Sequence, residues 1–208
     1  TYTFSYRYAT LSIMNKLGIN FGSSGNPSYQ DLNFKLNFPL KKNAQISLFG
    51  LGGKSDIAIL DNGDDSSKWT YGRAGRDIHF GSRFALIGAN FQQNVNKSFF
   101  YKISIGANLN NSYSAYDTIG LDKVTRAATY RNKFTVNKYI LNANATKRLN
   151  STNTIKAGFI VTEMNMNLTD SNFYPDQNIW YNEAKFVGDA QLLQGFAEWN
   201  YSPTDALK

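Results

Sequence analysis

The sequence has no cysteine among its 208 residues, which excludes a disulfide framework and a thiolate metal site. It also has no apolar run near the roughly 20 residues of a membrane-spanning helix, so the only spanning architecture left open is a closed sheet. Charged residues reach only 18% and proline only 4 residues, whereas aromatic residues make up 15%. Aromatic side chains fit the pleated surface of a sheet, so this composition favours β-structure.

The stretch 29–39 alternates apolar and polar side chains without a break. Its apolar positions are Leu32, Phe34, Leu36 and Phe38, and its polar positions are Asp31, Asn33, Lys35 and Asn37. This period of two predicts an extended strand with one apolar face. The run matches the roughly 9–11 residues of a tilted membrane-spanning strand, and later segments repeat it. We therefore interpret the apolar face as facing lipid.

The same rhythm recurs along the chain and predicts an all-β fold of about eight strands. These strands cover about 2–13, 29–38, 45–51, 78–93, 99–110, 133–147, 155–162 and 193–201. Short turns rich in lysine and arginine alternate with long polar connections at about 15–28, 53–77, 111–132 and 167–190. Short turns on one rim and long loops on the other are typical of bacterial outer-membrane barrels, whose turns face the periplasm. The whole of 1–208 is thus predicted to be part of one transmembrane antiparallel β-barrel domain.

The mean hydropathy of −0.42 does not argue against this, because polar residues facing the lumen cancel apolar residues facing lipid. The net charge of +7 raises the question of a nucleic-acid partner. The basic residues are scattered and form no stripe or motif, so we expect no nucleic-acid binding. We expect the partners to be outer-membrane lipid and other outer-membrane components.

Three early segments resemble the barrel region of TonB-dependent receptors, in the large form common among Bacteroidota. They are 6–11 (YRYATL), 29–39 (YQDLNFKLNFP) and 46–52 (ISLFGLG). The resemblance implies a 22-stranded barrel in the bacterial outer membrane, plugged by an N-terminal domain and coupled to the TonB system through segments not in this chain. It implies uptake of a scarce nutrient such as an iron chelate, a vitamin or a glycan. We expect the chain to be an internal fragment of about eight strands from such a barrel.

Two groups of aromatic and arginine side chains in the polar connections are candidates for ligand contact, because rings and guanidinium groups together recognise sugars and anionic chelates. The first is Trp69, Tyr71, Arg73 and Arg76, and the second is Tyr113, Tyr116, Arg126, Tyr130 and Arg131. A solvated loop surface is the alternative for both groups. Five basic residues are expected to point into the lumen and favour anions there: Lys35, Arg83, Lys102, Lys138 and Lys156.

Metal and cofactor sites are not expected. Asp61, Asp64 and Asp65 are clustered carboxylates of the kind Ca²⁺ favours, but their spacing does not match an EF-hand. His79 is the single histidine and cannot by itself build a zinc site or a nucleophilic relay. The sequence has no phosphate-binding glycine loop, nucleophile elbow or paired catalytic carboxylates, so we expect no enzymatic activity.

Three alternatives stay open at this point. A receptor-like barrel can serve as a structural subunit of an outer-membrane complex, together with a surface lipoprotein or other subunits. A self-contained eight-stranded barrel can act as an adhesin or enzyme. A soluble β-sandwich predicts that Phe34, Ile105 and Phe159 are buried in a core.

Overall fold

The computed structural model describes residues 1–10, 27–61 and 74–202. These residues form one sheet of eight antiparallel strands in chain order. The strands are β1 (Tyr2–Thr10), β2 (Ser28–Leu40), β3 (Ala44–Ile59), β4 (Arg76–Asn96), β5 (Phe99–Ile119), β6 (Arg126–Arg148), β7 (Asn153–Tyr174) and β8 (Ile179–Tyr201). The prediction of an all-β, antiparallel fold of about eight strands is confirmed. No helix in the described part of the chain is long and apolar enough to cross a membrane.

Directly paired residues share a face of the sheet, so each row of paired residues lies on one face. The rows near the middle run across all eight strands. One row near the middle is Tyr2, Leu36, Leu48, Ala89, Ile105, Leu141, Val161 and Leu193. We call the face that carries this row the outer face, and the face that carries Ser104 the inner face. The period of two seen in the sequence therefore builds one continuous apolar surface.

This apolar surface is not covered by any second layer of the described chain. Ala44 and Ile59 are the only buried hydrophobic residues in the described ranges. Ile105 is 56% exposed and Phe159 is 48% exposed, so the sandwich alternative, which requires both to be buried, is wrong. The sheet has no hydrophobic core of its own, and its outer face needs an apolar surrounding.

The apolar band on the outer face slants across the strands. At this rim the band ends at Leu32 on β2 and at Leu193 on β8. The residue of β8 that is in register with Leu32 is Asp189, which lies 4 positions from Leu193. Four residues of about 3.4 Å over six strand spacings of about 4.8 Å give a slant of roughly 25°. A membrane plane cuts tilted barrel strands in this oblique way.

The two edge strands are not joined to each other. Within the described residues β1 pairs only with β2, and β8 pairs only with β7. The sheet is open, so it does not match the alternative of a self-contained eight-stranded barrel. The total of 22 strands stays a prediction.

Three of the four predicted long connections are wrong in extent, and most of the fourth, 15–28, lies outside the described residues. β5 and β6 continue through most of 111–132 and are joined by 120–125 alone, while β7 and β8 are joined by 175–178. The connection after β3 runs from 60 to 75, and residues 62–73 of it lie outside the described part of the chain. Strands β4 to β8 are thus 21 to 23 residues long, about twice what a bilayer needs. The short turns at 41–43, 97–98 and 149–152 are confirmed at the opposite rim.

Side-chain hydrogen bonds across the strands hold these polar extensions together. Asn111 Nδ2 on β5 donates to Thr135 Oγ1 on β6 at 2.7 Å, and Asn165 Nδ2 on β7 donates to Asp189 Oδ1 on β8 at 2.7 Å. Since polar residues occupy both faces here, the sequence loses its period of two although the backbone stays extended.

Candidate functional site

The ligand-contact residues predicted from the sequence divide into three groups in the structure. Trp69, Tyr71 and Arg73 lie outside the described residues. Arg76, Tyr116 and Tyr130 lie on the inner face of the polar extensions. Tyr113, Arg126 and Arg131 lie on the outer face, so the structure does not bring the second predicted group together.

The inner-face group forms a layered cluster of rings beneath a guanidinium group. The rings of Tyr116 and Tyr130 stack with centroids 4.7 Å apart, and Phe80 meets Tyr116 edge-on at 6.0 Å. The guanidinium carbon of Arg76 lies 5.6 Å from the centre of the Tyr116 ring, within the range of a cation–π contact. We call Arg76, Phe80, Tyr116 and Tyr130 the inner-face cluster.

A carboxylate holds one edge of this cluster in place. Tyr130 donates its hydroxyl hydrogen to Asp170 Oδ2 at 3.0 Å, and Asn132 Nδ2 donates to the same oxygen at 2.8 Å. Partial burial, with the added hydrogen bond to Asp170, raises the pKa of the Tyr130 phenol above its usual value. The cluster therefore presents a neutral phenol, an aromatic face, a cation and a fixed carboxylate within a few residues.

The outer-face arginines stabilise the rim between β5 and β6. Arg126 Nε lies 3.0 Å from Oδ2 of Asp77, whose side chain is almost fully buried, and Arg126 Nη1 also donates to the carbonyl oxygens of Lys123 and Val124 at 2.9 Å. Arg131 Nη2 lies 2.6 Å from Asp117 Oδ1. Since their charges are met by carboxylates, both arginines have a structural explanation, and their predicted ligand contact stays untested.

Tyr113 also has a structural partner on the outer face. Its hydroxyl donates to Asp56 Oδ1 at 3.1 Å, and its ring lies across Gly81. Burial, with that hydrogen bond, raises the pKa of the Tyr113 phenol.

A β-bulge decides which face Arg126 occupies. Tyr116 pairs with Tyr130, but Asp117 pairs with Ala128, so Thr129 is an extra residue on β6. Without the extra residue, Arg126 would lie on the inner face, as Tyr130 does. With it, Arg126 lies on the outer face, as Asp77 does. Neighbouring residues in a strand point to opposite faces, so parity alone separates Tyr130 from Arg131.

Three members of the inner-face site were missed by the sequence analysis: Phe80, Asn132 and Asp170. Phe80 lies two residues beyond the start predicted for its strand, and Asp170 lies in a segment predicted to be a loop. A period-two count extended upstream from Phe84 would have placed Phe80 on the inner face. Asp170 carried no such signal, because its partner Tyr130 is 40 residues away in the chain.

Four of the five predicted lumen cations lie on the inner face, and the fifth prediction is wrong. Lys35, Lys102, Lys138 and Lys156 share the face of Ser104. Arg83 is paired with Lys54 and Asn111 in register with the outer-face residues. It shares the parity of Ile87 on β4, so it projects to the apolar side.

No three His, Cys, Asp or Glu side chains in the described ranges lie close enough together to hold a metal ion. Asp64 and Asp65 lie outside those ranges. Asp61 connects the ends of the loop between β3 and β4. Its Oδ2 accepts a hydrogen bond from the Gly75 amide at 2.6 Å, and its own amide donates to Asp77 Oδ1 at 2.9 Å. His79 lies on the outer face, paired with Ala58 and Ala115.

No protein-family model and no curated protein sequence matches this chain. Among solved structures, the chain is similar to the ferric yersiniabactin uptake receptor FyuA from Yersinia pestis, with a TM-score of 0.60 at 7% sequence identity. The match covers 87% of this chain and 27% of the receptor, so the chain spans about a quarter of the receptor's length. At this identity the likeness is one of fold: the sheet resembles a fragment of a β-barrel receptor.

Proposed function

We propose that this chain is part of the wall of an outer-membrane receptor barrel that imports a scarce nutrient, such as an iron chelate, a vitamin or a glycan. Energy comes from the TonB system, which acts through segments outside this chain. The observation that carries the proposal is the slanted apolar band on a sheet that matches part of an uptake receptor.

The outer face supports a membrane location. Every strand contributes apolar side chains to the band, and the band keeps its slant at both rims: Leu40 on β2 is in register with Ala197 on β8, whereas Tyr201 ends the band there, again 4 positions away. An apolar belt of constant height on tilted strands fits a slab of hydrocarbon, with no second protein layer needed.

The residues of the inner face favour a barrel that contains a plug domain rather than an open pore. Beside its lysines and asparagines this face carries apolar side chains on either side of β5, of which Leu51 is 43% and Leu192 is 45% exposed. Further examples are Phe49, Leu86, Val136, Ile140, Met164 and Met166. A surface of this kind facing only water is costly, so a folded domain inside the barrel is its natural cover.

The inner-face cluster supplies a chemically suitable contact for the cargo. Stacked tyrosine rings bind flat or sugar-like surfaces, the Arg76 guanidinium group attracts anions, and the Asp170 carboxylate accepts hydrogen bonds from hydroxyl groups. It stands at the rim of the longer connections, which faces the exterior in barrels of this type. A nutrient entering from outside meets this wall first.

The test is uptake by a strain that lacks the gene and carries it back in wild-type or variant form. Growth on limiting iron chelates, vitamins and glycans identifies the cargo. Tyr116→Ala and Arg76→Gln are expected to lower cargo affinity at least tenfold, while Tyr113→Ala, three residues along β5 and on the other face, compares the two surfaces.

Loss of uptake from Tyr113→Ala but not from Tyr116→Ala, with both variants folded and present in the membrane at the wild-type level, would assign the cargo to the outer-face residues and contradict the role of the inner-face cluster. A deletion strain with normal growth on every nutrient, together with stable co-purification of a lipoprotein or another outer-membrane subunit, would replace transport by a structural role.

A further inference from the structure

We propose that the inner face of the rim opposite the short turns binds an elongated zwitterionic cargo, with its anionic end at Arg76 and its amine end at Asp170 and Glu183. This inference rests on the uptake function proposed above, because it takes the inner-face cluster as part of the cargo site. It narrows the chemical class of the cargo to molecules that carry both charges, and it extends the site to the tip of β7 and β8.

A second β-bulge adds a carboxylate to this face. Asp170 pairs with Ala184, and Ser171 pairs with Asn182. Glu183 is therefore an extra residue on β8, at a position where a bulge can turn a side chain toward the other face. It directly precedes the strand partner of Asp170, so the bulge brings two carboxylates to neighbouring places.

The contacts of Glu183 show that its side chain lies on the inner face. Its Oε1 accepts the hydroxyl hydrogen of Tyr174 at 2.9 Å and a hydrogen from Asn172 Nδ2 at 3.4 Å. Asn172 pairs with Tyr130 and so lies on the inner face. Tyr174 is two residues further along β7 and has the same orientation. Glu183 thus joins the inner-face cluster at its β8 side.

Both carboxylates keep their negative charge, because their hydrogen-bond donors are neutral. Asp170 accepts from a tyrosine hydroxyl and an asparagine amide, and Glu183 does the same. The hydrogen bond to Glu183 raises the pKa of the Tyr174 phenol, so that phenol stays protonated. Among the residues that the structure describes, neither carboxylate forms an ion pair.

The opposite charge stands at the other end of the stacked rings. Arg76 covers the Tyr116 ring and likewise has no ion pair in the described part of the chain. A guanidinium group in this position can form two parallel charge-assisted hydrogen bonds with a carboxylate or phosphate. The anionic end of the cargo is therefore expected here.

The two ends are too far apart to neutralise each other. The Arg76 guanidinium carbon is 5.6 Å from the centre of the Tyr116 ring, and the next ring centre, that of Tyr130, is 4.7 Å further. The Tyr130 hydroxyl lies 3.0 Å from Asp170 Oδ2. With about 3 Å from ring centre to hydroxyl oxygen, the charges are at most about 16 Å apart. The Debye length at physiological ionic strength is about 8 Å, so each charge is largely screened from the other and available to a ligand.

The surroundings of the carboxylates suit an amine. Tyr174 and Tyr181 meet edge-on beside Glu183, with ring centres 6.2 Å apart, and both are exposed. An ammonium group there gains an ion pair with Glu183 and cation–π contacts with the rings. A span of about 16 Å equals four to five residues of extended peptide at about 3.4 Å per residue. A short linear peptide is thus the simplest zwitterion of the right length.

The experiment measures binding of a defined probe to the natural full-length protein in detergent, by isothermal titration calorimetry. The probe is a pentapeptide of glycine and alanine with a tyrosine at its centre. It is used in four forms: with both ends free, with the amine acetylated, with the carboxylate amidated, and with both ends blocked. On the wild type we expect blocking of either end to weaken binding at least fivefold.

Two variants separate the two ends. Arg76→Gln is expected to abolish the effect of amidation and to leave the effect of acetylation unchanged. The double variant Asp170→Asn/Glu183→Gln is expected to do the reverse. Lys133→Gln is the control and is expected to change neither effect, because Lys133 pairs with Tyr113 on the outer face. A general loss of structure would not produce this crossed pattern.

Heat-modifiable migration on a gel shows that each variant is a folded barrel before binding is measured. Equal affinity for all four forms, absence of binding by every form, or loss of both end effects from one variant would overturn the proposal. Binding needs no transport, so a protein that shows the crossed pattern but imports nothing would refute the uptake function and leave this site standing. Uptake of an uncharged nutrient that requires Tyr116 but not Glu183 would refute this inference and leave the uptake function standing.

Discussion

Tyr113 on β5 donates its hydroxyl hydrogen to Asp56 on β3 at 3.1 Å, crossing the strand that lies between them. The crossing is possible because Gly81 on β4 has no side chain, and a Cβ there would overlap the Tyr113 ring. The lack of a side chain at Gly81 therefore allows one hydrogen bond to hold β3, β4 and β5 in register.

The first prediction follows from that contact. Gly81→Ala should displace the Tyr113 ring, break its hydrogen bond to Asp56 and lower the free energy of unfolding by about 1–2 kcal/mol. Gly106→Ala is the control, since a Cβ there has only an ordinary contact with the Ile87 carbonyl oxygen at 3.4 Å. Urea unfolding of the refolded barrel in detergent measures both, and equal effects would contradict the locking role of Gly81.

The second prediction concerns which face meets lipid. Ile105 and Ser104 are neighbours on β5 that point to opposite faces. Ile105→Lys places a charge in the middle of the apolar band and should cost about 2–4 kcal/mol of stability in a bilayer. Ser104→Lys adds the same charge to the inner face and should cost far less. The measurement is reversible folding into lipid vesicles, and the reverse order of costs would exchange the two faces.

The third prediction concerns the ion pair at the rim. Asp77 is only 5% exposed, so removing its partner leaves a carboxylate with poor access to water. Arg126→Gln should therefore loosen the connection 120–125 and cost about 1–2 kcal/mol, a modest value because the arginine itself is partly exposed. Hydrogen exchange should become faster at Asp117–Thr118 and unchanged at the distant turn 97–98. Uniform acceleration along β5 would contradict a local role.

The fourth prediction is a pH dependence. The pKa of Tyr130 is raised in the fold, so the stability contributed by its neutral phenol is present below the ordinary tyrosine pKa near 10 and is lost as pH rises through the higher folded value. Absorbance titration of the phenolate should show a late-ionising tyrosine that Tyr130→Phe removes. An unchanged titration curve would mean that Asp170 does not hold this phenol.

Alternation in the sequence predicts the strands correctly where one face of the sheet is apolar. Between Leu32 and Phe38, and between Tyr101 and Leu109, one face of the strand is apolar, so apolar and polar residues alternate in the sequence. Beyond the band no such demand exists: Asn111, Ser112 and Tyr113 follow one another in a regular strand whose two faces are both polar. Loops were predicted there because polarity is the only signal that remains.

The face on which a side chain lies is predicted better by counting residues along the strand than by the type of the residue. Arg83 was placed in the lumen because it is charged, although it is an even number of residues from Ile87 on an unbroken strand. Arg126 could not be placed even by counting, since the bulge at Thr129 is set by the pairing of β5 with β6 rather than by any local residue preference.

The length of the extensions has an electrostatic consequence. On β5 the apolar band ends at Leu109, seven positions before Tyr116, so in the proposed membrane placement the inner-face cluster stands about 20 Å beyond the hydrocarbon. The Debye length at physiological ionic strength is about 8 Å, so phosphate groups at the lipid surface exert little field on Arg76. Attraction of an anionic cargo should then respond to the salt of the surrounding medium while remaining indifferent to the charge of the bilayer.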